Sequence, residues 1–205
     1  MASVSTTSPR RRQRLDVTSR RAAILDAARE CYAGATYTEV SVAQIATAAQ
    51  ASPALVFHYF GTKAELYAAV VADAIDRLAA AQRAAVEALP PGTSKRDRVS
   101  TSISIYLDHI ATHPHTWAAP LIGGEEPPEA ISVRTQARAA YVQALRELLQ
   151  PSDWARHEYA LWGYFGFLDQ ACLRWVEHGC SPDEREPLRE AALGALEGAL
   201  GDWGG

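Results

Sequence analysis

Three helix starts fall within little more than twenty residues. Ser41 stands three positions before Gln44, Ser52 directly precedes Pro53, and Thr62 stands three positions before Glu65. A Ser or Thr hydroxyl placed in this way accepts from an orphan N–H of the first helical turn, and a Gln or Glu three residues on returns the bond. Proline suits the first helical position because its missing N–H costs nothing there. The turn Ala49-Gln50-Ala51 and then Gly61 separate the three starts. Two short helices are therefore expected, about 41–49 and 53–60, followed by a long one running from Thr62 towards Ala88.

The rest of the chain has the same character. Alanine is abundant, apolar residues recur at threes and fours, and strand-like alternation is nearly absent, which predicts an all-α protein. A helix from Arg20 to about Gly34 carries Ile24, Leu25, Ala28 and Tyr32 on one stripe, and Val42, Ile45, Ala46 and Ala49 form the buried face of the next. Beyond Pro90-Pro91-Gly92, helices are expected at about 94–112, 115–122, 127–149, 153–178 and 183–200, with Gly123-Gly124 and Pro151 among the separators. Ser181, Pro182 and Glu184 mark the last start as a capping box. A chain of 205 residues has no room for two full-sized enzymatic domains, and 48% hydrophobic with 21% charged residues excludes collagenous, wholly disordered and disulfide-scaffold classes. Cys31, Cys172 and Cys180 are odd in number and scattered, which suits a reducing compartment. Neither a secretory leader nor an apolar span is visible, so a cytoplasmic protein is expected without membrane association.

Charge is distributed unevenly. The formal net charge is −4, yet residues 1–21 hold six arginines against Asp16 alone, so a basic arm precedes an acidic body. Residues 1–18, rich in Ser, Thr and Arg, are expected to be disordered. Such an arm is drawn to phosphate.

Two short helices joined by a tight turn, braced by a preceding helix, allow the second to enter the major groove of DNA. With Val56 and Phe60 turned inward against Ile45 and Ala46, the residues Pro53, Ala54, Leu55, Phe57, His58 and Tyr59 are left wholly or partly exposed. Four consecutive ring-bearing residues, Phe57 to Phe60, cannot all face inward from one helix. The stretch from Thr38 through Ser41-Val42-Ala43-Gln44-Ile45-Ala46 and Ser52 to Phe57-His58-Tyr59-Phe60-Gly61-Thr62-Lys63-Ala64-Glu65-Leu66 resembles the DNA-binding signature of TetR-family transcriptional regulators. The resemblance covers about residues 20–67; the remainder is similar only in its helix pattern.

The resemblance implies that Ser52, Pro53, Ala54, Leu55, Phe57, His58 and Tyr59 line the DNA face, that Lys63 holds a phosphate and that Ser41 adds a backbone contact. This chain departs from the family where Gln50 replaces a common Gly, Pro53 a polar or basic residue, Ala54 a Gly and Phe57 a Tyr. Base reading must then rest on thymine methyls, His58 and shape. No formally charged residue stands between Val40 and Thr62. Phosphate neutralisation therefore falls to Lys63, to Arg20 and Arg21, and to Arg10, Arg11, Arg12 and Arg14 of the arm.

Three domains of function are expected: the arm at 1–18, a helix-turn-helix DNA-binding domain at 19–67, and a larger helical ligand-binding and dimerisation domain at 68–205. Tyr106, His113, Trp117, Tyr141, Trp162, Phe165 and Asp169 are candidates to line a chamber for a small, largely apolar or aromatic effector, as the resemblance implies. Asp169, in an apolar stretch, either pairs with a histidine or arginine, reaches solvent at an interface, or marks a polar or cationic ligand. Leu193, Leu196 and Leu200 with Gly198 are candidates for a homodimer seam on the last helix. The expected function is a ligand-responsive regulator, a repressor that binds a palindromic operator in double-stranded DNA as a homodimer and is released by its effector. No catalytic residues, metal or cofactor are expected. His157-Glu158 lacks the second histidine of a zinc-protease helix because Leu161 stands there, and the His113-x-His115 spacing is weak evidence for a metal, since His113-Pro114 suits an interhelix turn.

Overall fold

The computed structural model describes residues 17–123 and 125–201. Among these, the chain forms nine α-helices and no strand: α1 (Val17–Tyr32), α2 (Val42–Ala48), α3 (Pro53–Phe60), α4 (Lys63–Glu87), α5 (Lys95–Thr112), α6 (Pro114–Ala118), α7 (Pro128–Leu149), α8 (Ala155–Glu177) and α9 (Pro182–Leu200).

The closely spaced caps form as their chemistry requires. Ser41 Oγ accepts from the Gln44 N–H at 3.2 Å while Gln44 Oε1 accepts from the Ser41 N–H at 2.7 Å. Ser52 Oγ accepts from the Leu55 N–H at 3.2 Å, with Pro53 opening α3. Thr62 Oγ1 and Glu65 Oε2 form the second reciprocal capping box at 3.1 and 2.8 Å. Gly61 closes α3 with φ +75°, and a Cβ there would lie 2.2 Å from Glu65 Oε2, so this glycine is what lets α3 end and α4 begin within two residues.

Two apolar cores result. The first joins Ile24, Ala28 and Tyr32 of α1, Ile45 and Ala46 of α2, Val56 and Phe60 of α3, and Leu66, Val70 and Val71 of α4. The second joins Ile103, Leu107 and Ile110 of α5, Val142 and Leu149 of α7, Leu161, Leu168 and Cys172 of α8, and Leu193, Leu196 and Leu200 of α9. Full burial of each such aliphatic side chain is worth about 1.5–3 kcal/mol. Helix α4 belongs to both regions. Its N-terminal turns supply the first core, and the helix, about 37 Å long at 1.5 Å per residue, packs along α5 and α7. Arg29 of α1 reaches Asp73 of α4 at 3.0 Å and links the two helices beside their shared core.

The boundaries depart from sequence expectation in three places. Val17 and Thr18, counted with the arm, form the first turn of α1; residues 1–16 lie outside the described residues. Helix α6 stops at Ala118, not at 122. Ser181 occupies the N-cap of α9 but its side chain makes no capping bond, and Glu184 meets His178 Nδ1 at 2.9 Å instead.

Candidate nucleic-acid interface

Helix α3 is amphipathic in the sense its spacing predicts. Val56 is 1% and Phe60 7% exposed, both in the first core beside Ile45 and Ala46. Pro53, Ala54, Phe57 and His58 are exposed, Phe57 at 46%, while Leu55 and Tyr59 are half-buried. The rings of His58 and Tyr59 meet edge to face at 5.3 Å. The outward surface of α3 is therefore apolar and aromatic, with His58 and Tyr59 as its hydrogen-bonding side chains. Ser41 and Ser52, the N-caps of α2 and α3, are exposed. Among the described residues Ser52 Oγ accepts the Leu55 N–H and donates to no acceptor, which leaves its O–H proton available.

Cations flank this helix and stand on rings. Lys63 Nζ lies 4.3 Å above the Tyr37 ring, and the Arg21 guanidinium lies 4.6 Å above the Phe60 ring. Partial burial draws the Lys63 pKa downward. The arm arginines Arg10, Arg11, Arg12 and Arg14 lie outside the described residues.

Behind the N-terminal head formed by α1, α2, α3 and the first turns of α4, Tyr67 of α4 packs edge-on against Tyr32 at 4.8 Å and lies tilted against Tyr37 at 5.1 Å. Its hydroxyl donates to Glu126 Oε1 at 2.9 Å, and Glu126 is held by Arg134 of α7 through Nε and a terminal guanidinium nitrogen, each at 2.9 Å. Burial, reinforced by Glu126, pushes the Tyr67 hydroxyl up to about 12. Thr116 of α6 donates to the Ala33 carbonyl at the end of α1 at 2.9 Å. A cavity of about 90 Å³ opens at this junction, lined by Tyr37, Glu39, Tyr67, His115, Thr116 and Glu126 among others. These contacts escaped sequence reasoning, since Tyr67 and Glu126 are 59 residues apart and neither carries a local signature.

Of the effector candidates, five gather between the central helices. Trp117 Nε1 donates to the Tyr106 hydroxyl at 2.9 Å, and burial, followed by the charge of Asp169, raises the Tyr106 pKa. Asp169 takes the first of its three alternatives: Arg138 donates to it at 2.5 Å and also lies over the Phe165 ring at 5.2 Å. Tyr141 lies 6.2 Å from Phe165. The hydroxyls of Tyr141 and Tyr164 are buried with no hydrogen-bond partner among the described residues. Arg138 and Tyr164 belong with this cluster and were missed. The other two candidates are misplaced. Trp162 is 43% exposed and its Nε1 donates outward to Glu158 at 2.9 Å, because its helical position turns it away from the core that Phe165 borders. His113 is exposed in the joint between α5 and α6, its ring 5.9 Å from that of His109. None of the seven lines the cavity at the head–body junction or the open groove between the ends of α8 and α9.

The seam on α9 also requires correction. Leu193 and Leu196 are wholly buried and Leu200 nearly so, inside the second core of the same subunit, so they cannot present themselves to a partner. Gly194 and Gly198 are exposed on the other side of α9, and Tyr159, Trp162, Gly163, Gly166 and Phe167 are exposed along α8. His157 is likewise structural: buried, with Nε2 3.0 Å from the Leu200 carbonyl and Nδ1 3.1 Å from Ser152 Oγ. Among the described residues, no three His, Cys, Asp or Glu side chains come together to hold a metal ion, and no helix is long and apolar enough to cross a membrane.

Comparison with known proteins meets this geometry. Residues 24–70 match the model for bacterial regulatory proteins, tetR family. The chain is 32% identical over 130 residues to the HTH-type transcriptional regulator BetI of Rhizobium meliloti (strain 1021), a match spanning 63% of this chain and 62% of that relative's length. In three dimensions it is similar to a tetR-family transcriptional regulator from Streptomyces coelicolor, with a TM-score of 0.73, 23% identity, and 90% of this chain and 80% of that one covered. It is also similar to the transcriptional regulator FadR from Bacillus subtilis in complex with stearoyl-CoA, with a TM-score of 0.67, 16% identity, and 87% and 97% covered. The segment that matches the tetR-family model is folded into α1 to α4, with the exposed face of α3 at its centre, and the chain as a whole shares the fold of the solved tetR-family structure from Streptomyces coelicolor.

Proposed function

We propose that this protein is a ligand-responsive transcription regulator that binds a palindromic operator in double-stranded DNA as a homodimer, acts as a repressor in the cytoplasm, and is released by a small, largely apolar or aromatic effector. The observation that carries this reading is the outward face of α3. Pro53, Ala54, Phe57 and His58 stay uncovered by the subunit while Val56 and Phe60 anchor the helix from behind. An uncharged, ring-bearing helix of this kind is suited to a major groove, where apolar contact meets thymine methyls. Lys63, Ser41, Ser52 and the arm arginines Arg10, Arg11, Arg12 and Arg14 would supply the phosphate contacts that position it. In this reading residues 19–67 are the DNA-binding unit and 68–205 the sensing and pairing unit.

A two-fold operator calls for a two-fold protein. The exposed apolar stripe of α8, with the small outward residues Gly194 and Gly198 on α9, supports a pairing face on which a second copy packs closely. The cluster of Tyr106, Trp117, Tyr141, Phe165, Asp169 and Arg138 supports an effector site, since orphaned tyrosine hydroxyls in an apolar setting favour a ligand that completes their hydrogen bonds. The structural relative seen with stearoyl-CoA is consistent with a lipophilic effector. Effector binding would favour a placement of the two α3 helices that no longer matches successive grooves, and by linkage DNA would weaken effector binding equally.

Selection of bound sequences from random duplexes by the purified full-length protein tests the reading. Enrichment of an inverted repeat is the expected result. Absence of any enriched sequence overturns it.

A further inference from the structure

The segment facing DNA in the proposed function carries no formal charge from Val40 to Thr62, so each cation beside it has to be well placed to matter. A free lysine side chain spreads its ammonium over many rotamers, and holding it for a phosphate costs side-chain entropy. Lys63 is not left free. Its Nζ stands 4.3 Å above the face of Tyr37, inside the range in which a ring quadrupole attracts a cation. Among the described residues no carboxylate forms an ion pair with Lys63, so its N–H donors are not already committed to an anion.

Tyr37 is itself held. Its ring packs 5.1 Å from Tyr67, whose hydroxyl is bound to Glu126, which Arg134 clamps from α7. The same device recurs on the other flank, where Arg21 lies over Phe60. We propose, resting on the DNA-binding reading above, that Tyr37 is a positioning residue: its ring face parks the Lys63 ammonium where the backbone phosphate beside α3 will meet it. The phosphate then finds an oriented cation whose other side is covered by a ring rather than by water. Tyr37 acts through Lys63 and touches no nucleotide in this scheme.

The chain has two lysines, Lys63 and Lys95, which makes the pairing directly observable. In protein labelled with ¹³C-lysine, the Lys63 ε-methylene protons should be shifted upfield by the Tyr37 ring current, with Lys95 as internal reference and Lys63→Arg as the assignment. The shift should persist in Tyr37→Phe and vanish in Tyr37→Leu. Two unshifted lysines in the unmodified protein overturn the proposal, whatever its DNA affinity. The second measurement is fluorescence anisotropy on an operator duplex recovered from the selection, titrated at several salt concentrations. Lys63→Met should reduce the slope of log K against log salt by about 0.9, the share of one neutralised phosphate. Tyr37→Leu should reduce it by a comparable amount, Tyr37→Phe should keep the full slope, and Tyr37→Leu with Lys63→Met should reduce it no further than Lys63→Met alone. A fall in active fraction from misfolding lowers the signal but not the slope, so the comparison survives a weakened head. An unchanged slope in Tyr37→Leu beside a reduced one in Lys63→Met overturns the positioning role and leaves DNA binding intact. An unchanged slope in Lys63→Met overturns the phosphate contact and the proposal with it, while failure of the selection itself is the separate failure of the DNA-binding reading.

Discussion

Gln50 and Gly61 show how a single φ governs the head. Both have positive φ, Gln50 at +50° and Gly61 at +75°, but only the second is a glycine. A side chain at such an angle costs roughly 1–2 kcal/mol, partly offset in the unfolded chain by the greater freedom of glycine. Gln50→Gly should therefore stabilise the protein by about 0.5–1 kcal/mol, seen as a higher midpoint in urea melts. Gly61→Ala should destabilise it by about 1–3 kcal/mol, because the new Cβ also collides with the Glu65 carboxylate that caps α4. Tyr67 makes a prediction in pH. Its hydroxyl is raised from 10.0 to about 12 by burial first and the Glu126 contact second. The unfolded chain therefore loses this proton before the folded one. The stabilisation is complete below pH 10 and is lost as pH rises from about 10 to about 12. Urea melts across that window should show falling stability, and Tyr67→Phe should flatten the fall; an unaltered pH dependence in the variant would count against the assignment.

At the scale of elements, α9 has two faces with different duties. Its leucines seal the subunit, so Leu196→Ala should cost about 2–5 kcal/mol of stability through the cavity it leaves, measured by thermal or urea unfolding. Substitution on the opposite side should behave otherwise. Tyr159, 78% exposed, and Trp162 on α8 stand outside the core. If the proposed pairing face holds, Tyr159→Ser with Trp162→Ser lowers self-association in sedimentation experiments by at least about tenfold while leaving subunit folding within about 0.5 kcal/mol. The caps that delimit α2, α3 and α4 were legible because a cap is a matter of three or four adjacent residues. The leucine stripe of α9 was legible as an apolar face, yet periodicity does not say whether the cover is the same chain or a second copy. Trp162 and Phe165 illustrate the same limit, since both are aromatics of one helix and only the neighbouring α5 and α7 decide which is enclosed.

In the whole molecule, a basic N-terminal arm is joined to an acidic body through a head whose exposed helix α3 is uncharged. Deletion of residues 1–15 should weaken operator binding and lower the salt slope by up to about 0.9 for each phosphate that the arm had neutralised; equal slopes for the full-length and truncated proteins would refute the arm's role. The path between head and body runs through Tyr67, Glu126 and Arg134 and through Thr116 on the end of α1. Amino-acid order alone determined the all-α class, the helix order and the outward side chains of α3, because caps, glycine stops and i, i+4 spacing act between residues close along the chain. Tertiary structure alone decided the inward fate of Leu193, Leu196 and Leu200, the pairing of Asp169 with Arg138, and the stacking of Lys63 on Tyr37. Those depend on which distant surfaces meet, and burial and ion pairing are properties of the meeting surfaces rather than of any local pattern.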